Sequence, residues 1–291
     1  MFIVKTVKYF FQAILIYLFF IIIKIVGLSL SRKFFSIFFS IIGPHIKSEQ
    51  TINNNLEKFM GFYNESLKQK IKLQMWNNYG KTFAEYLYLK KFRNSGSHIR
   101  IKGEQILNKI QQNNKPVIFV SGHFANFELM SMELTKRNIN LATIYRPLNN
   151  FFLNPFMEFL RKKYICQNQI KKGLVGVKES IKYIKNNYSI ALMIDQRVSE
   201  GKRLPFFEHA ALTTTMPAQM ALKFNLDIIP IYIVRKNNDD FEMEICDPLN
   251  IVKKDDVETN KLNLSIKLNK ILETMIAKNP GQWIWTHNRW K

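Results

Sequence analysis

Short apolar runs alternate along this chain with longer stretches in which apolar residues recur every three or four positions. That spacing predicts helix over residues 53–89, where Leu67, Ile71, Met75, Trp76, Phe83, Leu87 and Tyr88 recur and Gly and Pro are scarce. Further helices are predicted over 103–113, 127–137, 154–163, 173–186, 216–224 and 258–277. Between them lie runs of strand length at 117–120, 141–145, 189–194, 228–234 and 241–245. Residues 201–211, basic at the start and apolar in the middle, read as a loop. Helices alternating with short buried strands predict an α/β fold, a mostly parallel sheet flanked by helices.

The N-terminus follows another pattern. Residues 9–23 carry no charge, Lys24 interrupts, and IVGLSL continues the apolar run. With the Lys24 ammonium snorkelling, 9–30 supplies the roughly 20 residues a bilayer span requires. A signal peptide would have a shorter apolar region and a small-residue cleavage site. A buried core helix is the competing reading. The second uncharged stretch, 34–43, is too short to span, and either lies in the interface or packs on the domain. Lys5 and Lys8 precede the first run and Arg32 and Lys33 follow it, so flanking charge sets no orientation. The chain thus divides into an N-terminal membrane anchor with its interfacial segment, 1–45, and one domain over 46–291.

Charge adds a constraint on partners. Lys plus Arg number 43 against 22 Asp plus Glu, a formal net charge of +21. Such an excess suits an anionic lipid, an acidic protein or nucleic acid. Its dispersed placement equally suits a chain rich in Lys, Asn and Ile throughout. The two cysteines, Cys166 and Cys246, share no metal-ligand spacing and read as buried free thiols of a reducing compartment. No P-loop, GxGxxG or zinc-spaced Cys/His cluster is present.

The candidate chemistry sits in PVIFVSGHFANFE, residues 116–128. The strand ends at Ser121–Gly122 and His123 stands at its C-terminal end. Asn126 is the predicted N-cap of a helix that begins at Phe127 and carries Glu128 in its first turn. Open α/β sheets place ligands at this edge. Two other strand ends carry polar residues, Arg146 and Asp195. With Glu128 against one imidazole nitrogen, His123 would accept a proton at the other and act as a general base. Such a base removes the proton from an alcohol attacking a thioester. Arg146 offers a fixed positive fork for a phosphate or an oxyanion. The His/acid spacing also arises by chance, and each residue has a structural alternative: a capping histidine, a surface ion pair, a turn cap.

Several segments carry a resemblance in consistent order. NLEKF at Asn54, WNNYGKTFAEY at Trp76, SGHFANFEL at Ser121, YRPLNN at Tyr145, DQRVSEGKRLPFF at Asp195 with AALTTT at Ala210, and WIWTHNRW at Trp283 resemble the late acyltransferases of lipid A biosynthesis, the lauroyl/myristoyl transferase family. SGHFANFEL is similar to that family's HX4(D/E) block, and Thr286 and Asn288 depart from its usual C-terminal motif. The resemblance implies a glycerolipid acyltransferase-like fold behind an anchor helix. It implies acyl transfer from acyl carrier protein to a hydroxyacyl chain of a Kdo-bearing lipid A precursor. His123 would be the base, Glu128 its orienting partner, and Arg146 and Asp195 would serve the substrate pocket. The thioester supplies the driving force, so neither metal nor nucleotide cofactor is implied, nor nucleic acid as a partner. A cytoplasmic carrier protein implies an inner-membrane enzyme facing the cytoplasm. Acylation of glycerol phosphate or a lysophospholipid is the nearest alternative, although no FPEG-type motif follows the His block, PFFEHA at Pro205 not being one. A basic, membrane-tethered binding protein is the alternative from another class.

Overall fold

The structure, a computed structural model, describes residues 2–61, 64–251 and 256–291; Phe62 and Tyr63, within the helical expectation over 53–89, lie outside them. Helices come first: α1 (Phe2–Val26), α2 (Leu28–Ile46), α3 (Glu49–Met60), α4 (Glu65–Glu85) and, after a 3-10 turn at Tyr86–Tyr88, α5 (Leu89–Asn94). Then follow β1 (Ile99–Lys102), α6 (Glu104–Asn113), β2 (Ile118–Ser121), α7 (Glu128–Lys136), β3 (Leu141–Tyr145), α8 (Asn154–Tyr164), β4 (Asn168–Lys171), α9 (Leu174–Lys185) and β5 (Ser189–Met193). The chain closes with β6 (Lys202–Phe206), β7 (His209–Thr213), α10 (Met216–Phe224), β8 (Ile228–Arg235), β9 (Phe241–Ile245) and α11 (Val257–Lys278).

The main sheet has the order β1-β9-β8-β2-β5-β3-β4. Its pairs are parallel except β8 with β9. The expected α/β class is therefore what forms. The central strands β2 and β8 are buried along their whole length, which is why they read as unbroken apolar runs. Successive residues feed opposite layers. Ile118, Val120 and Ile190 meet Ala218 of α10 and Leu268 of α11 on one face. Phe119, Ala191 and Ile229 meet Leu129 and Met130 of α7 on the other.

Strands outside the sequence expectation have physical reasons for their silence. β1 (IRIK) and β4 (NQIK) are the two edges of the sheet and carry few buried apolar residues. The expected loop at 201–211 is instead an antiparallel hairpin of β6 and β7. Its two-residue turn, Phe207–Glu208, has φ of 48° and 63°, a geometry usually signalled by Asn-Gly. Packing enforces it here: the Phe207 ring meets Phe59, Phe206 and Trp290, and its amide donates to Glu273 Oε1 at 2.7 Å.

The N-terminal pair departs from a simple tether. Residues Ile3–Val26 have a mean hydropathy of 2.3 and form a helix long and apolar enough to cross a membrane. It stops at Gly27 (φ 88°) rather than running on to Leu30. The Nζ of Lys24 donates to Leu87 O at 2.8 Å. Tyr17 Oη donates to Phe152 O at 3.0 Å and Asn150 Nδ2 to Tyr9 O at 2.8 Å. The uncharged stretch 34–43 lies within α2 and packs on α4. A Cβ on Gly80 would fall 2.0 Å from Phe35 O, and one on Gly43 2.4 Å from the Trp76 ring, so only glycine lets these helices approach. The outer stripe of α2, with Leu30, Phe34, Ile37 and Ile41, stays exposed.

Glu85, fully buried at the end of α4, joins these layers. Its carboxylate accepts from Arg32 Nε of α2 at 2.7 Å, from Arg235 of β8 through Nη1 and, at 3.1 Å, Nη2, and from Asn126 Nδ2 at 2.9 Å. Arg235 Nε also donates to Asn78 Oδ1 at 3.0 Å. The Arg235 guanidinium stacks on Phe241. Removing one partner of such a buried group leaves the others uncompensated and costs about 3–5 kcal/mol. Glu85→Gln is expected to lower stability by that order, read as a lower unfolding midpoint in detergent. An unchanged midpoint would show that the cluster does not hold the layers together.

Candidate active site

Parallel neighbours β2 and β5 deliver His123 and Asp195 to one point at the C-terminal edge of the sheet. His123 Nδ1 lies 2.8 Å from Asp195 Oδ1, and the His123 backbone N–H donates to Asp195 Oδ2 at 2.9 Å. The indole Nε1 of Trp283 donates to the same Oδ2 at 2.8 Å. The Asp195 side chain is 1% exposed and that of His123 19%. Burial alone would raise the Asp195 carboxyl. The charge and two hydrogen bonds of His123, with the Trp283 indole, hold it below the usual carboxylate range. With Nδ1 committed to a fixed anion, Nε2 is the imidazole nitrogen left to take a proton.

The loop between β2 and α7 is built for this contact. A Cβ on Gly122 would sit 2.7 Å from the Phe124 ring and 3.3 Å from Asp195 Cβ, so the close approach requires glycine. Ala125 has φ 45°, a conformation costly for a residue with a side chain. Its backbone is held at both ends: Ala125 N donates to Gln282 O at 2.9 Å, and Ala125 O accepts from Thr82 Oγ1 at 3.1 Å. The expected N-cap at Asn126 is corrected. α7 has Phe127 at the cap with no side-chain bond, and Asn126 is drawn instead onto the buried Glu85. The Phe127 ring meets the His123 imidazole edge-on at 4.6 Å between centroids.

The carboxylate on His123 is thus Asp195, contributed from 72 residues away. Glu128, five residues on, is committed elsewhere. Its Oε1 accepts from Tyr86 Oη at 2.9 Å and from Arg161 Nε and Nη2 at 2.8 and 2.6 Å. This pair fastens the start of α7 to α8. Arg146 ends β3, on the far side of β5 from β2, and is exposed, with Nη2 3.3 Å from Asn149 Oδ1. Of the four residues singled out in the sequence, the structure brings His123 and Asp195 into contact, and leaves Glu128 and Arg146 with other partners.

The C-terminal segment supplies what the sequence left open. Phe124 and Trp283 form an antiparallel bridge. Asn55 Nδ2 of α3 donates to Trp285 O and His287 O at 2.8 and 2.7 Å. Arg289, fully buried, donates to Leu212 O and Thr213 Oγ1, and burial pushes its guanidinium down to about 10. The tail is thereby strapped across β7 and placed behind Asp195. His287 rides on it, near enough to feel the charges of Asp195 and His123. Burial pushes its imidazole down to about 4, against the opposing pull of Asp195. Trp283 was visible in a recognisable block, but its hydrogen bond to Asp195 spans 88 residues and left no local pattern. Among the described residues no group of three or more His, Cys, Asp or Glu side chains is placed to hold a metal ion.

Comparison with known proteins gives concordant matches. The model of the family described as bacterial lipid A biosynthesis acyltransferase matches residues 4–291. A curated relative, lipid A biosynthesis acyltransferase 2 of Shigella flexneri, is 23% identical over 189 residues, covering 63% of this chain and 58% of that protein. The chain therefore aligns with little more than half of that relative's length. The family model spans the N-terminal helices, the sheet that carries His123 and Asp195, and the C-terminal strap, and the chain belongs to the bacterial lipid A biosynthesis acyltransferase family.

Proposed function

We propose that this protein transfers a fatty acyl chain, lauroyl or myristoyl, from the thioester of acyl carrier protein to a hydroxyacyl chain of a Kdo-bearing lipid A precursor. The reading rests on the family and on one observation above all: His123 is held at Nδ1 by the buried carboxylate of Asp195. Domain assignment follows the same reading, with residues 1–45 as anchor and interfacial segment and 46–291 as the catalytic domain. The donor is cytoplasmic, so the domain faces the cytoplasm from the inner membrane.

In this reaction His123 Nε2 removes the proton from the acceptor hydroxyl as its oxygen attacks the thioester carbonyl. The C–S bond breaks as the tetrahedral intermediate collapses, and the thiolate leaves with the proton returned by His123. Asp195 keeps the ring in the productive tautomer and stabilises the imidazolium as it forms. Glu128 and Arg161 are positioning residues that fix the start of α7. Arg146, exposed at the same edge, binds an anionic group of the substrate. The basic excess of the chain suits both the acidic carrier protein and an anionic lipid.

The test is a mass-spectrometric transfer assay. Membranes carrying the protein receive Kdo-bearing tetraacyl precursor and carrier proteins loaded with chains of C10 to C16. His123→Ala and Asp195→Asn are each expected to lower turnover by about 10²–10⁴. Full activity of Asp195→Asn, with a folded Glu128→Gln inactive, would return the orienting role to Glu128. No transfer by the folded wild type to this precursor would overturn the lipid A reading.

His287 gives a prediction in pH. Its imidazole has the ordinary value of 6.5 when unfolded and is pushed down to about 4 when folded, so between those values the unfolded state binds more protons. Stability is then lost as pH falls from about 6.5 towards 4. His287→Gln is expected to flatten the unfolding midpoint over that window. A mutant curve as steep as wild type would show that other groups set the acid limit.

A further inference from the structure

The edge of the sheet that carries the site also carries an apolar tip that the acyl-transfer chemistry does not use. β4 turns into α9 through Lys171-Lys172-Gly173-Leu174-Val175, and Leu174 is 81% and Val175 71% exposed. This exposure is built into the fold. Gly173 has φ 117°, a conformation that suits glycine, and a Cβ on Gly176 would fall 2.1 Å from Lys171 O, so the turn is folded tightly onto its own strand. Lys172 N donates to Tyr145 O at 2.9 Å, which seats the tip beside Arg146 and the segment that follows it. That segment exposes Leu148 and Phe151, and Phe151 and Phe152 pack edge-on against Tyr9 and Phe10 of α1. Phe10, Phe11 and Ile14 of α1 are exposed in turn.

Exposed apolar residues therefore stand on α1, at Leu148 and Phe151, and at Leu174 and Val175, on the side of the site where Arg146 lies. Exposed Lys171, Lys172 and Lys178 flank the tip, and Glu179 is the acidic residue of α9. Two bare aliphatic side chains ringed by lysines fit a partner with an anionic surface over a hydrocarbon interior. We propose that the Leu174–Val175 turn inserts into an anionic phospholipid bilayer as a second contact beside α1. The mouth of the site is then pressed against the membrane over both ends of this rim. The proposal concerns lipid contact and stands whether or not the acceptor is a lipid A precursor.

The test reads depth directly. Leu174→Cys, in a chain with Cys166 and Cys246 replaced by Ala, carries a nitroxide, and the full-length protein is reconstituted with vesicles of phosphatidylethanolamine and phosphatidylglycerol. Lys115→Cys, at the opposite end of β2, is the control. The label at 174 is expected to be accessible to oxygen and shielded from a water-soluble nickel chelate, and the label at 115 the reverse. With the nitroxide moved to Leu148, the pair Leu174→Glu and Val175→Glu is expected to shift the docked rim about 10- to 100-fold towards the undocked state. A label at 174 that meets the nickel chelate, while one at Ile22 of α1 is shielded, overturns the proposal. Equal shielding of 174 in vesicles of phosphatidylcholine alone overturns the anionic part of it. Neither result bears on the transfer assay, so the two readings fail separately.

Discussion

One buried carboxylate organises this protein. Glu85 faces two guanidinium groups and a carboxamide, and those partners come from the second N-terminal helix, a central strand and the loop that carries His123. The cluster holds more positive than negative charge, and the aromatic faces of Phe92 and Phe241 stabilise the arginines through cation–π contact. Such an arrangement is weak evidence for net stability and better evidence for register. Each partner fits only when α2, α4, β8 and the β2–α7 loop are all in place. The strained backbone at Ala125 is then affordable, because its amide and carbonyl are fixed by neighbours that the same cluster orders.

Much of this was legible in the chain. The strands at 141–145 and 241–245 agree with their runs to the residue, because LATIY is apolar at all but Thr143 and FEMEI alternates apolar with acidic residues. The edge strands β1 and β4 did not announce themselves, since an edge needs little apolar surface. The hairpin at Phe207–Glu208 hid because tertiary packing, rather than turn chemistry, sets its geometry. At the candidate site, His123 after a buried strand and Asp195 after another each read as strand-end residues, and both stand at the C-terminal edge of the sheet. Their pairing was not readable, for it depends on β2 and β5 being neighbours, which sequence order does not state. The nearer acid, Glu128, was the visible candidate, and its arginine partner lies on α8, 33 residues on.

The N-terminal helix illustrates the limit of composition. Its apolar length describes a span, whereas its hydrogen bonds to Leu87 and Phe152 and from Asn150 describe a docked element of the domain. Those polar contacts run along one side of α1, and the opposite side keeps its exposed Phe and Ile residues. The helix is at once part of the fold and an exposed apolar surface, so its removal would take packing from the domain as well as that surface.

The C-terminal strap has a temporal consequence. The residues that brace the site, Gln282 against Ala125 and Trp283 against Asp195, come after α11 and all the strands named above, and those that lock the strap down, His287 and Arg289, are later still. Synthesis proceeds from the other end. Before residues 280 onward have left the ribosome, β2, β5 and the loop between β2 and α7 exist, yet the carboxylate behind His123 lacks its indole donor and the loop lacks its carbonyl partner. A chain interrupted after α11 would carry every strand named above and still lack the indole on Asp195 and the carbonyl on Ala125 that brace the candidate site.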